Sequence, residues 1–143
     1  MKVKDISLKE VHFAAPTTTI NEAASMMKRH GVGVLPICEN GRLLGMLTDR
    51  DIVIGCVAAG MDTKECQVKE FMTSEPVVIV PNMDIEEAAE IMGKEQVRRL
   101  PVAEGGNLLG MLSLGDIATA LDNDDLIANT LRRISTPSQA AAS

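Results

Sequence analysis

Residues 32–52 read VGVLPICENGRLLGMLTDRDI, and 65 residues further on, residues 97–117 read VRRLPVAEGGNLLGMLSLGDI. Leu-Pro, a turn glycine, Leu-Leu-Gly-Met-Leu and Asp-Ile fall in the same register in both. Working outward without a gap, residues 3–53 align with 68–118 at about 40% identity, so the chain is two copies of one unit.

Each copy carries the same local signals. Ile20, Ala23, Ala24 and Met27, and in the second copy Ile85, Ala88, Ala89 and Met92, follow the i, i+3, i+4, i+7 spacing of a helix with one apolar stripe. Thr19 with Glu22, and Asp84 with Glu87, have the spacing of a capping box at the start of these helices. Two short apolar runs follow, 32–38 and 43–48, separated by Glu39-Asn40-Gly41-Arg42, a hairpin signal that Gly105-Gly106 repeats in the second copy. A second helix is expected from about Asp49 to Ala59, and from about Gly115 to Leu121. With a further β segment at 11–15 or 77–80, the fold class is α+β, built from two tandem β-α-β-β-α units. Neither copy has enough residues for a stable core alone, so the two are expected to pack together. The expected boundaries are 1–60 for the first unit, 61–67 for a linker and 68–122 for the second unit. Residues 123–143 form an extension with a short helix over 123–133 and a frayed tail from Ser135.

Composition narrows the function classes. At 45% hydrophobic and 24% charged residues the chain is globular, and no apolar run approaches the roughly 20 residues of a membrane span. A net charge of −6, no Trp or Tyr, and Phe13 and Phe71 as the two phenylalanines argue against nucleic acid, which requires basic clusters and stacking platforms. Met1-Lys2-Val3-Lys4-Asp5 does not open a signal peptide, so a cytoplasmic location is expected. Cys38, Cys56 and Cys66 lack the spacing of a zinc or dithiol motif, and no metal site or disulfide framework is expected. They read as reduced, buried small hydrophobes; the sharper reading makes Cys66, in Lys64-Glu65-Cys66-Gln67, a redox sensor.

The chemistry concentrates where the second strand runs into the second helix. There Thr48-Asp49-Arg50-Asp51 is matched by Ser113-Leu114-Gly115-Asp116. Two readings fit this Thr/Ser-x-x-Asp pattern. As a capping box it satisfies orphan helix amides and is purely structural. As a binding element it brings together a hydroxyl, a carboxylate able to accept from two vicinal ribose hydroxyls, and helix-start amides that attract anions, which suits a nucleoside phosphate.

The tandem pattern of Leu-Pro-(Val/Ile), turn, Leu-x-Gly-Met-Leu-(Thr/Ser)-x-x-Asp-Ile resembles a pair of cystathionine β-synthase (CBS) domains over residues 3–122. Leu35-Pro36-Ile37-Cys38 and residues 45–52 (GMLTDRDI) are similar to stand-alone bacterial CBS pairs, including hypoxia-response proteins. The resemblance implies a disc-like pseudo-twofold pair whose two clefts take adenosine compounds: AMP, ADP, ATP, S-adenosylmethionine or NAD-type ligands. It implies ribose contacts from Asp51 and Asp116, and ribose or phosphate contacts from Thr48 and Ser113. Arg98 and Arg99, ahead of Leu100, stand where the family places phosphate-facing side chains; the first copy has Gly33 and Val34 there, with Arg50 as a partial substitute. The adenine walls would be Val77, Val78 and Leu100 in one cleft, and His12, Phe13, Val34 and Leu35 in the other. A homodimer, an unidentified effector protein and no obligatory cofactor complete these expectations. The alternative is a ligand-independent interaction or dimerisation scaffold.

No enzyme signature is legible. His12 and His30 lie on different elements outside any nucleophile–base or metal-ligand spacing, and His30 beside Gly31 reads as a helix C-terminal residue. Asp122, Asp124 and Asp125 lack the spacing of a calcium loop and read as a solvated turn.

Overall fold

The computed structural model describes residues 1–7 and 11–137; the frayed tail expected beyond Ser135 lies, from residue 138, outside the described residues. In chain order the elements are α1 (Lys4–Ser7), α2 (Ile20–His30), β1 (Val34–Glu39), β2 (Arg42–Thr48) and α3 (Asp49–Asp51), which runs directly into a π-helix, Ile52–Val57. After a 3-10 turn (Val68–Glu70) come β3 (Thr73–Ser74), α4 (Ile85–Glu95), β4 (Arg99–Glu104), β5 (Asn107–Ser113), α5 (Leu114–Ala120) and α6 (Asp124–Ser135).

The hairpin signal is realised in both copies. Asn40 and Gly41 have φ of 53° and 79°, Gly105 and Gly106 have 61° and 86°, and two successive positive φ values make the tight turn whose twist matches the flanking strands. Around the first turn β1 and β2 pair antiparallel from Val34↔Thr48 to Glu39↔Arg42, with an irregularity between Ile37 and Cys38. The expected strands at 11–15 and 77–80 shrink to single parallel bridges, Ala14↔Ile37 and Ile79↔Val102. Flanked by β2 and this extra segment, β1 buries four consecutive residues, Leu35 to Cys38, on both of its faces.

Packing divides the chain into two bodies that differ from the two sequence copies. One comprises residues 11–76 with the turn 105–108; the other comprises the described parts of 1–10, 77–104 and 109–143. The first residues of each copy have changed places. In the C-terminal body Val3 N donates to Met83 O at 2.9 Å and Lys4 N to Pro81 O at 2.9 Å. In the N-terminal body, with every number moved by the repeat period, Val68 N donates to Thr18 O at 2.8 Å and Lys69 N to Pro16 O at 3.1 Å. Val3 and Val68 are both fully buried, each in the core of the body built mainly by the other copy. The boundaries expected at 1–60 and 68–122 follow the sequence repeat, whereas packing follows this exchange. The expected linker 61–67 is accordingly pinned to the N-terminal body: Asn21 N donates to Thr63 O and Ile20 N to Cys66 O, both at 2.9 Å.

One helix start and one helix body depart from expectation. Thr19 caps α2 by accepting from Glu22 N at 3.1 Å, but the Asp84 side chain makes no cap to α4 and instead accepts from Lys2 Nζ at 2.6 Å. A cation supplied by the exchanged N-terminal segment outcompetes a neutral amide for that carboxylate. The helix expected from Asp49 loosens after one turn: Ala58 N bonds to Val53 O and Met61 N to Cys56 O, five residues back.

In the C-terminal body α6 starts at the cap Asn123, whose side chain accepts from Leu126 N at 3.1 Å, so Asp124 and Asp125 occupy its first turn. Its Leu126, Ile127 and Ile134 pack against the core formed by Ile79, Ile85, Met92, Val102, Leu112 and Ile117. The N-terminal core gathers Ile20, Met27, Leu35, Ile37, Leu47 and Val68, together with Cys56 and Cys66.

Candidate functional site

Each body carries one Thr/Ser-x-x-Asp element, and both form complete capping boxes. In the N-terminal body Thr48 N donates to Asp51 Oδ2 at 2.9 Å while Asp51 N donates to Thr48 Oγ1 at 3.0 Å. In the C-terminal body Ser113 N donates to Asp116 Oδ2 and Asp116 N to Ser113 Oγ, both at 2.9 Å. The boxes orient the carboxylates by two reciprocal bonds, which fixes them at the end of β2 and of β5.

The first helix residue of each box is tied in the same way to the residue just before β1 or β4: Asp49 N donates to Gly33 O at 2.9 Å, and Leu114 N donates to Arg98 O at 2.8 Å. Here the copies diverge chemically. A Cβ at Gly33 would lie 2.9 Å from Asp49 Oδ2, so that carboxylate occupies the space a side chain at this position needs. In the second copy the same two places hold Arg98 and the largely buried Leu114. The C-terminal element thus combines Ser113 and Asp116 with two exposed guanidinium side chains, Arg98 and Arg99, that form no ion pair among the described residues. Neither Glu95 nor Glu104 neutralises them. The N-terminal element sets one exposed cation, Arg50, beside Asp49, whose Oδ1 accepts from the Arg50 amide at 2.8 Å. An anion meets net positive charge at the first of these and an acidic neighbour at the second.

Val77 and Val78 are 43% and 44% exposed, on the segment bonded alongside β4 through Ile79 N to Pro101 O, and so present aliphatic surface. Leu35 and Leu100 correct the expected adenine walls: both side chains lie in the cores, because each strand is covered on both faces, and only their backbone is left to line a site. Val34 is half-buried at the edge of β1, and Phe13 is exposed. His12 and His30, unrelated in sequence, stack with ring centroids 3.4 Å apart and planes 6° from parallel. Among the described residues no group of three or more His, Cys, Asp and Glu is placed to hold a metal ion.

The model of the CBS domain matches the chain twice, over residues 3–56 and 68–123. The chain belongs to the CBS-domain family. It is a tandem CBS pair, and it is 43% identical to the CBS domain-containing protein YhcV of Bacillus subtilis over 133 residues, covering 93% of this chain and 94% of that one. Among solved structures, Hypoxic Response Protein I with two coordinated zinc ions shares 38% identity at a TM-score of 0.78, covering 85% of this chain and 99% of that chain. CBSX2 in complex with AMP shares 25% identity at a TM-score of 0.73, covering 83% of this chain and 94% of that chain. The α+β architecture of two CBS units agrees with these structures. Among the described residues no helix is long and apolar enough to cross a membrane.

Proposed function

We propose that this CBS pair is a non-enzymatic regulatory module that binds an adenosine-containing nucleotide through the C-terminal element. The observation that carries this reading is the conjunction of Asp116 and Ser113, oriented by their box, with Arg98 and Arg99, which have no carboxylate partner among the described residues. Asp116 accepts from ribose hydroxyls, the arginines meet the phosphates and Val77 and Val78 offer the base an aliphatic wall. The AMP held by CBSX2 supports an adenine ligand. Thr48, Asp51, Arg50 and Val34 form a second, weaker element for phosphate because Asp49 repels it.

Calorimetry against AMP, ADP, ATP, NAD and S-adenosylmethionine, with GTP as control, tests the reading. Selective adenine binding that falls roughly tenfold or more in Asp116→Asn and in Arg98→Ala/Arg99→Ala is the expected result. Unchanged affinity in both variants removes the assignment. A ligand-independent scaffold is favoured by one observation, that both boxes are complete without a ligand. Under that reading the same variants change only thermal stability.

Homodimerisation through apolar helix surface, as part of a cytoplasmic module acting on an effector protein, belongs to the same proposal. Val53 and Ile54, 54% and 57% exposed, supply such a surface. Sedimentation that remains monomeric as concentration rises would remove the dimer.

A further inference from the structure

Cys56 and Cys66 are ten residues apart in sequence, and the path between them folds back on itself. Met61 N returns to Cys56 O at 3.1 Å, Gly60 turns the chain with φ of 73°, and Glu65 N closes onto Asp62 O at 3.0 Å. The bonds from Ile20 N to Cys66 O and from Asn21 N to Thr63 O then press the returning strand onto the start of α2. Both thiols end in one core cluster, with Cys56 fully buried and Cys66 5% exposed. There Cys56 lies close enough to act on the Cys66 thiol, and Cys56 Sγ donates to Met61 O at 3.8 Å.

A thiol is not what the fold requires at these places. In the C-terminal body Leu121 takes the position of Cys56, and Met1, whose carbonyl accepts from Ile85 N as that of Cys66 does from Ile20 N, takes the position of Cys66. The thiol pair belongs to the N-terminal body alone. The loop that joins the two cysteines is exposed at every residue of 57–65 except Thr63, and a segment with so little burial opens locally more readily than the core.

We propose that Cys56 and Cys66 are a redox-active dithiol that closes to an intramolecular disulfide when it meets a low-molecular-weight disulfide. The step balances by thiol–disulfide exchange. Cys66, the less buried sulfur, attacks as thiolate and forms a mixed disulfide, expelling one small thiolate. Cys56 then attacks Cys66 Sγ, forming the Cys56–Cys66 bond and expelling the second. The protein is oxidised by two electrons, the small disulfide is reduced, and the two thiol protons end on the two released thiols. Burial and the neighbouring Cys56 push the Cys66 thiol above its usual range, so the closed pair reacts slowly near neutral pH and faster as pH rises. The bond would tie the end of the π-helix to the segment that delivers Val68 into the core, and so stiffen the junction between the copies.

The test is peptide mapping of the folded full chain after incubation with oxidised glutathione, acid quenching and alkylation. The expected product is a cross-linked peptide holding Cys56 and Cys66, lighter by two hydrogens, with Cys38 still alkylated. It melts at higher temperature than the reduced protein, and a thiol reductant reverses the shift. Cys56→Ala should stop at glutathione bound to Cys66. Recovery of both Cys56 and Cys66 alkylated from oxidised, folded wild-type protein overturns the proposal, as does a cross-link through Cys38. The wild-type result decides the matter even if Cys56→Ala fails to fold, and it is independent of nucleotide binding.

Discussion

Lys2 Nζ donates to Asp84 Oδ1 at 2.6 Å across 82 residues of sequence. The bond ties the N-terminal segment to the start of α4, where Ile85 N also donates to Met1 O at 3.1 Å. It is the side-chain counterpart of the backbone exchange that places Val3 in the C-terminal core.

The lysine's hydrogen bond and charge hold the Asp84 carboxyl below the usual carboxylate range, and Asp84 raises Lys2 in return. A lowered carboxylate stabilises the fold above the usual carboxylate range and ceases to do so as pH falls through its own pKa. A raised lysine contributes below the usual lysine range and stops as pH rises through its own pKa. Between those limits Asp84→Asn should lower the melting temperature slightly, since both groups are exposed and salt screens them. The difference from wild type should vanish in acid. A difference that persists below the carboxylate range would show that the loss lies elsewhere.

Thr48→Ala and Ser113→Ala each remove the hydroxyl that accepts the third helix amide. Each should cost about 0.5–2 kcal/mol in urea unfolding, with similar losses in the two copies because the geometries match. A loss near zero in either would mean that solvent replaces the cap.

Gly33→Ala forces the Asp49 carboxylate from its place and with it the bond from Arg50 N. The substitution should destabilise wild type but be nearly neutral in an Asp49→Leu background, which imitates the second copy. A double-mutant cycle should give a coupling of about 0.5–3 kcal/mol. Additive effects would contradict the steric account.

Val3→Ala and Val68→Ala remove equivalent buried methyls and should each cost about 1.5–3 kcal/mol. Their local signatures should cross over. Hydrogen exchange should quicken in α4 for Val3→Ala and in α2 for Val68→Ala, although Val3 belongs to the first sequence copy and Val68 to the second. Faster exchange in a variant's own copy instead would contradict the exchanged packing.

The reading frame of the fold is local and was legible. Asn40-Gly41 and Gly105-Gly106 demand positive φ, the apolar stripes of α2 and α4 repeat at the helical period, and Thr/Ser-x-x-Asp can close a box within four residues. Asn123 and the helix after it were also within reach, because a cap and an amphipathic stripe need no distant partner. Asp84 misled for the complementary reason. Its spacing to Glu87 is that of a cap, but a capping carboxylate goes to the strongest donor in reach, and Lys2 is brought there by the tertiary fold.

By itself the sequence determined that the chain is a duplicated α+β unit, where its hairpins turn, and which short motifs bear hydroxyls, carboxylates and guanidinium groups together. Those features depend on backbone conformations and side-chain types within a few residues. Only the tertiary structure decided which copy shelters Val3 and Val68, that Leu35 and Leu100 are core, that Asp49 fills the space beside Gly33, and that Cys56 meets Cys66. Burial and pairing are settled by competition among all groups that come within reach, and reach is a property of the folded chain.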